Sequence, residues 1–211
     1  MIAALSQSAL RLLAGVLSVV VGLVALRYAL PAMPGLPPEI ATNRMIGLLP
    51  FHALTGALAL LIGPFQFLRG RAGPGSSWHR WEGRAYAVTC LVSAPVGLVL
   101  ALGTSAGPVA SAGFGLLAAG WFAATALGWR AVLRGRLSDH RAWMIRSYAF
   151  AFAAVTLRLY LPAAVVAAGM DYAVAYPAIA FLCWVPNLIV AEAIIRRLPP
   201  LPAGFGGRAP A

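Results

Sequence analysis

Leu133-Arg-Gly-Arg-Leu-Ser-Asp-His140-Arg-Ala-Trp-Met-Ile-Arg146-Ser-Tyr148 repeats, with a shorter loop, the earlier stretch Leu68-Arg-Gly-Arg-Ala-Gly-Pro-Gly-Ser-Ser-Trp-His79-Arg-Trp-Glu-Gly-Arg84-Ala-Tyr86. Both read L-R-G-R, a polar loop, H-R, then R-x-Y. Each copy ends one apolar run and opens the next. The copies are therefore corresponding turns of a membrane bundle, each presenting one histidine where a helix begins.

Outward from these turns the chain is apolar. Of its 211 residues, 61% are hydrophobic and only 10% charged, and mean hydropathy is +0.84. A water-soluble fold of that composition would expose apolar patches beyond what monomers tolerate, so the fold class is an all-α polytopic membrane bundle. Six runs near the roughly 20-residue bilayer length cover about 10–30, 50–68, 78–103, 108–133, 139–170 and 172–195. The first also has features of a secretory signal. Its long apolar core and the Arg27-Tyr28 anchor favour a retained span. Between the first two runs Pro31, Pro34, Pro37 and Pro38 forbid a helix interior and predict an extended connector. Ser77 is read as the N-cap of the third span, and Ser138 or Asp139 as the cap of the fifth. Residues 1–198 form one domain, and the Gly/Pro-rich 199–211 is expected to be a disordered tail.

Charge sets the orientation. All sixteen basic residues are Arg. Eleven of them (Arg69, Arg71, Arg80, Arg84, Arg130, Arg134, Arg136, Arg141, Arg146, Arg196 and Arg197) fall at one end of the spans. The positive-inside rule puts that end in the cytoplasm of an inner-membrane protein, with both termini, Gly75 and Gly135 inside and Gly35 outside. The net charge of +11 is thus an orientation signal and not a nucleic-acid surface, and Trp78, Trp81, Trp129 and Trp143 fit an interfacial belt. Cys90 and Cys183 lie inside apolar runs and read as small buried hydrophobes.

Three stripes of small and polar residues recur at helical spacing: His52, Gly56, Ala59, Gly63 and Gln66; His79, Gly83, Tyr86, Cys90 and Gly97; His140, Met144, Ser147, Ala151 and Arg158. Such stripes face protein, where small side chains allow close approach. His79 and His140 fall at similar depth on corresponding helices. A b-type haem needs two neutral imidazoles on opposing helices and arginines for its propionates, so these histidines with Arg80, Arg84, Arg141 and Arg146 form a candidate haem or quinone site. The plainer reading makes each H-R an interfacial anchor.

At the other end, Arg158 lies inside a span, where a guanidinium requires a partner. His52 is at similar depth. Arg158, His52 and Gln66 are candidate binders of a small anionic or amphipathic molecule, a quinone carbonyl included. Asp171 or Glu39 folding back would supply that partner instead, and the structural alternative is snorkelling of the guanidinium to the outer interface. Glu192 is expected to pair with an arginine of the basic end. Walker loops, G-x-S-x-G, H-E-x-x-H and zinc-spaced cysteines are all missing from the sequence.

The segments F-H-A-L-T-G (51–56), G-P-F-Q-F (63–67), H-R-W-E-G-R-A-Y (79–86), D-H-R-A-W-M-I-R-S-Y (139–148) and T-L-R-L-Y-L-P (156–162) resemble a bacterial family of multi-pass membrane proteins known as a domain of unknown function. The resemblance spans about 45–195 and implies membrane location without an activity. More loosely, H-x3-G on one span and H-R-x2-G-R on the next is similar to the transmembrane b-type cytochromes. Those hold two haems with four histidines, and this chain has three. The resemblance therefore implies at most one bis-histidine haem, and no two-haem path across the membrane.

Overall fold

The computed structural model describes residues 7–30, 32, 34–36, 38–68 and 76–199. Arg69, Arg71, Gly75 and the tail beyond 199 lie outside these. Among the described residues every regular element is helical. Six segments are long and apolar enough to cross a membrane: Ser8–Ala29, Ile46–Phe67, Ser77–Leu102, Gly107–Leu133, Leu137–Ala167 and Tyr172–Arg196. Span one is α1 (Gln7–Ala25) with a 3-10 turn, Leu26–Ala29. The short α2 (Pro38–Ala41) lies in the connector read as extended. Spans two to four are single helices: α3 (Leu49–Leu68), α4 (Ser77–Leu102) and α5 (Gly107–Leu133).

Spans five and six are each broken. Span five is α6 (Leu137–Ala151) and α7 (Ala153–Pro162), interrupted at Phe152 and ending in a π turn over Ala163–Ala167. Span six is α8 (Tyr172–Leu182) and α9 (Val185–Arg196), interrupted at Cys183–Trp184 just before Pro186. Proline has no N–H to return to the carbonyl four residues back, so Leu182 loses its helical partner there.

Helices α3 to α6 pack side by side, α6 returning to α3, so the two repeated hairpins make the centre of the bundle. The first span packs on α3, while α8 and α9 cover α5 and α6. Glycines set these approaches. A Cβ at Gly63 would meet the Tyr148 ring at 2.6 Å, one at Gly113 would meet Ala180 at 2.8 Å, and one at Gly120 would meet the Phe150 ring at 2.5 Å. The core between them holds Tyr86, Cys90, Trp121 and Phe150. A buried hydroxyl chain threads it: Tyr86 donates to Ser147 (3.1 Å), Ser147 to Thr125 (2.7 Å) and Thr125 to the Trp121 carbonyl (2.8 Å). That order follows because each hydroxyl has one hydrogen and the carbonyl can only accept.

Two caps differ from the sequence reading. Helix α4 is capped by Ser76, whose Oγ accepts from the His79 N–H at 3.1 Å, one residue before the expected Ser77. Helix α6 has no side-chain cap. Asp139 pairs instead with Arg136 at 3.3 Å, because the chain already turns helical at Leu137.

Candidate functional sites at the two ends of the bundle

At the arginine-rich end one arginine is paired across the bundle. Arg146 grips Glu192 of α9 in two parallel bonds, Nε–Oε1 at 2.6 Å and Nη2–Oε2 at 2.9 Å, and also lies over the Trp143 ring. The guanidinium expected to be open to a propionate is thus held by a carboxylate. Arg84 lies over the Trp81 ring at 5.4 Å, and Arg141 reaches the Pro199 carbonyl at 3.5 Å. Arg80 is exposed.

Both histidines of this end are half-buried and stand within Coulomb reach of one another. His79 is seven residues before Tyr86, and His140 seven before Ser147. Since Tyr86 and Ser147 bond across the bundle and i, i+7 share a helix face, the imidazoles occupy one level, about 10 Å nearer the basic end. His140 Nδ1 lies 2.9 Å from the Gly128 carbonyl of α5, which fixes its ring and directs Nε2 away.

The opposite end is built differently. His52, at the end of the first turn of α3, has Nδ1 at 3.1 Å from both the carbonyl and the hydroxyl of Ser93. Its ring lies over Gly97 so closely that a Cβ there would stand 2.9 Å from Cε1. The two stripes containing His52 and Gly97 meet here, small residue against ring. Arg158 of α7 stands within Coulomb reach of His52, and of Arg27 and Tyr28 at the end of the first span. Its Nη1 donates to the Ala154 carbonyl of its own helix at 3.0 Å. Arg27 is likewise without a carboxylate among the described residues: it donates to the Tyr28 hydroxyl at 2.7 Å and lies along Gly35, whose positive φ of 69° brings the backbone against it.

Of the two proposed counterions, Asp171 does not reach Arg158. Asp171 is spent on the N-terminus of α8, its Oδ1 accepting from Ala173 N–H at 2.7 Å. The Glu39 side chain lies outside the described ones. Gln66 is not brought to this site. It follows His52 by fourteen residues, about 21 Å along one helix, and donates to Glu82 at 3.2 Å near the basic end.

A family described as "Predicted membrane protein (DUF2306)" matches residues 49–195. The chain belongs to that family. The match runs from α3 to α9 and so takes in both ends of the central hairpins. No curated protein and no solved structure matches the chain. Within this DUF2306 domain no group of three or more His, Cys, Asp or Glu side chains gathers as a metal site among the described residues. Residues that the sequence reading gave no part in a site also stand out: Ser93 and Arg27, the latter read as an anchor, at the His52 end, and Thr156 and Asn187 at the paired helix breaks. Asn187, an amide in the middle of an apolar run and directly after Pro186, was the available signal.

Proposed function

We propose that this protein binds a small anionic or amphipathic molecule at the end of the bundle lined by Arg158, His52 and Arg27, as a transporter or sensor of that molecule. One observation carries the reading: a guanidinium inside a span, with no carboxylate partner among the described residues, stands within Coulomb reach of an imidazole and a second guanidinium. Holding such a charge in a membrane costs at least about 2.5–3.5 kcal/mol. A carboxylate or a polarised carbonyl seated between Arg158 and His52 would offset that cost, and the bidentate guanidinium supplies orientation. The arginine-rich end then faces the cytoplasm and this site the outer side.

Protein in lipid nanodiscs, titrated separately with hexanoate, inorganic phosphate and a short-chain quinone, tests the reading. At least one probe should raise the unfolding midpoint with saturation, and Arg158→Leu should weaken that response tenfold or more. Identical responses of wild type and Arg158→Leu to all three would overturn it. Thiol labelling checks the orientation, because Cys90 and Cys183 are buried. Cysteine at exposed Ser138 should react from the cytoplasmic side and cysteine at exposed Ser105 from the other. Reaction of both from one side would break the topology.

A second reading rests on His140. Its Nδ1 is anchored on a backbone carbonyl, as in histidines that bind iron or zinc through the other nitrogen. The donor set fits a bis-imidazole b haem: His79 and His140 as ligands, with Arg80, Arg84 and Arg141 toward the propionates. Such a haem supplies one-electron transfer. The chain's own part is to fix the His140 ring and to close the space below it with the Tyr86–Ser147 contact. Split visible bands in reduced protein, lost in His79→Ala and in His140→Ala but kept in His52→Ala, are the expected result. A colourless protein from haem-replete cells leaves both histidines as interfacial anchors.

A further inference from the structure

The breaks in spans five and six face each other near the middle of both spans, and what joins them is rich in oxygen and poor in hydrogen. Asn187 Nδ2, with two hydrogens, has three oxygens in range: the Cys183 carbonyl at 2.8 Å, Thr156 Oγ1 at 3.2 Å and the Ala149 carbonyl at 3.3 Å. Thr156 Oγ1, with one hydrogen, faces the Cys183 carbonyl, the Ala153 carbonyl at 3.2 Å and the Phe152 carbonyl at 3.3 Å. Three side-chain hydrogens therefore serve five acceptor oxygens. The Phe152 carbonyl already accepts from Val155 and Thr156 N–H in the broken turn. Pro186 deprives Leu182 of its helical partner, and the adjacent Cys183 carbonyl accepts from no backbone N–H among the described residues. Thr156, Cys183 and Ala149 are all buried.

We propose that this cluster is a binding site for a monovalent alkali cation, held by the Cys183 and Ala149 carbonyls, Thr156 Oγ1 and the Asn187 side-chain oxygen. Turning the Asn187 amide over puts Oδ1 in the place of Nδ2, so that it and the three oxygens around it face one another without the amide hydrogens, and a cation seated among the four replaces them. Two physical arguments select the ion class. Hard cations take oxygen ligands, and carbonyls released where membrane helices break are the usual source of them. All four ligands are neutral, with no carboxylate to compensate a second charge, so the ion is singly charged. Arg158 is two residues from Thr156 and so turned to the other side of α7, which keeps its charge off the ligand cluster. The inference stands apart from the anion reading, since none of its ligands contributes to that site.

The test uses full-length protein purified in choline chloride and transferred into sodium or potassium chloride at constant ionic strength. One of the two ions should raise the unfolding midpoint by several degrees with saturation, and radiolabelled sodium or rubidium should bind at one per chain. Thr156→Val and Asn187→Leu should each abolish the effect, and Thr156→Ser should retain it. Asn187→Asp keeps the volume and adds a full negative charge, and should tighten binding about tenfold. Where Thr156→Val does not fold, the wild type and Asn187→Asp decide. Superimposable unfolding curves of wild type in choline, sodium and potassium would overturn the proposal, as would cation binding undiminished in Asn187→Leu.

Discussion

Arg146 and Arg158 lie on the same span, twelve residues apart, and their surroundings are opposite in kind. Arg146 near the basic end meets Glu192 in a two-bond clamp and stacks on Trp143. Arg158, past the break at Phe152, has a carbonyl of its own helix, with His52, Tyr28 and Arg27 within Coulomb reach. The same contrast extends to particular groups at each end. At the basic end Asp139 answers Arg136 and a carbonyl answers His140. At the other end the one acid whose side chain is described, Asp171, is committed to a helix cap. A matched charge in a membrane is architecture; an unmatched one has to be matched by something else.

The two arginines should therefore respond to deletion with opposite signs, which is the strongest way to break the comparison. Arg158→Leu removes from a span a charge with no carboxylate partner among the described residues and should raise the stability of ligand-free protein by about 2 kcal/mol, while tenfold or more of probe binding is lost. Arg146→Leu removes one half of a pair and should lower stability. The side chains of the pair are 25% and 40% exposed, so water screens it and the loss should be only about 1 kcal/mol. Unfolding midpoints of the two variants in the same nanodiscs give both signs. A destabilised Arg158→Leu would mean that the guanidinium is matched after all.

The sequence made the spans and the hairpin symmetry legible because length and apolarity are nearly sufficient to define a membrane helix. The expected 108–133 run is the observed Gly107–Leu133, and the Arg146–Glu192 pair was legible as an acid surrounded by arginines. Interruptions inside spans were not. A helix break at Phe152 leaves no mark in composition, since the residues on both sides are apolar helix formers. The break at Cys183–Trp184 was marked by Pro186, but proline also occurs inside the continuous α3 and α4, at Pro64 and Pro95, so it does not decide the matter alone. Gln66 was grouped with His52 because helical periodicity reports a shared face and says nothing of depth. Distance along the axis has to be counted separately, at about 1.5 Å per residue.

The ends can be compared more finely through the glycine that each histidine meets. At Gly97 the added methyl of alanine would stand 2.9 Å from Cε1 of His52, and the ring is tied by its Nδ1 to Ser93. Gly97→Ala should displace the imidazole and weaken probe binding severalfold. Stability should fall by about 0.5 kcal/mol, since the crowding is partly offset by the better helix propensity of alanine. Binding unchanged in Gly97→Ala would remove His52 from the site and leave Arg158 alone.

Gly128 should show the smallest effect of all. His140 bonds to its carbonyl, which alanine keeps, and the atom nearest to a new Cβ is Met144 Sδ at 2.7 Å, with Met144 Cγ and Trp143 Cβ at 3.4 Å. The obstructing sulfur is near the end of an unbranched side chain that changes rotamer cheaply, whereas the ring at Gly97 is held by hydrogen bonds. Replacing glycine inside a helix also gains about 0.5–1 kcal/mol of propensity. The two contributions nearly cancel, and the unfolding midpoint of Gly128→Ala should stay within about 2–4 °C of wild type, the shift expected of about 1 kcal/mol in a chain of this size. A larger fall would show that Met144 is confined as tightly as His52, and that the basic end owes its order to close packing around His140 as much as to its paired charges.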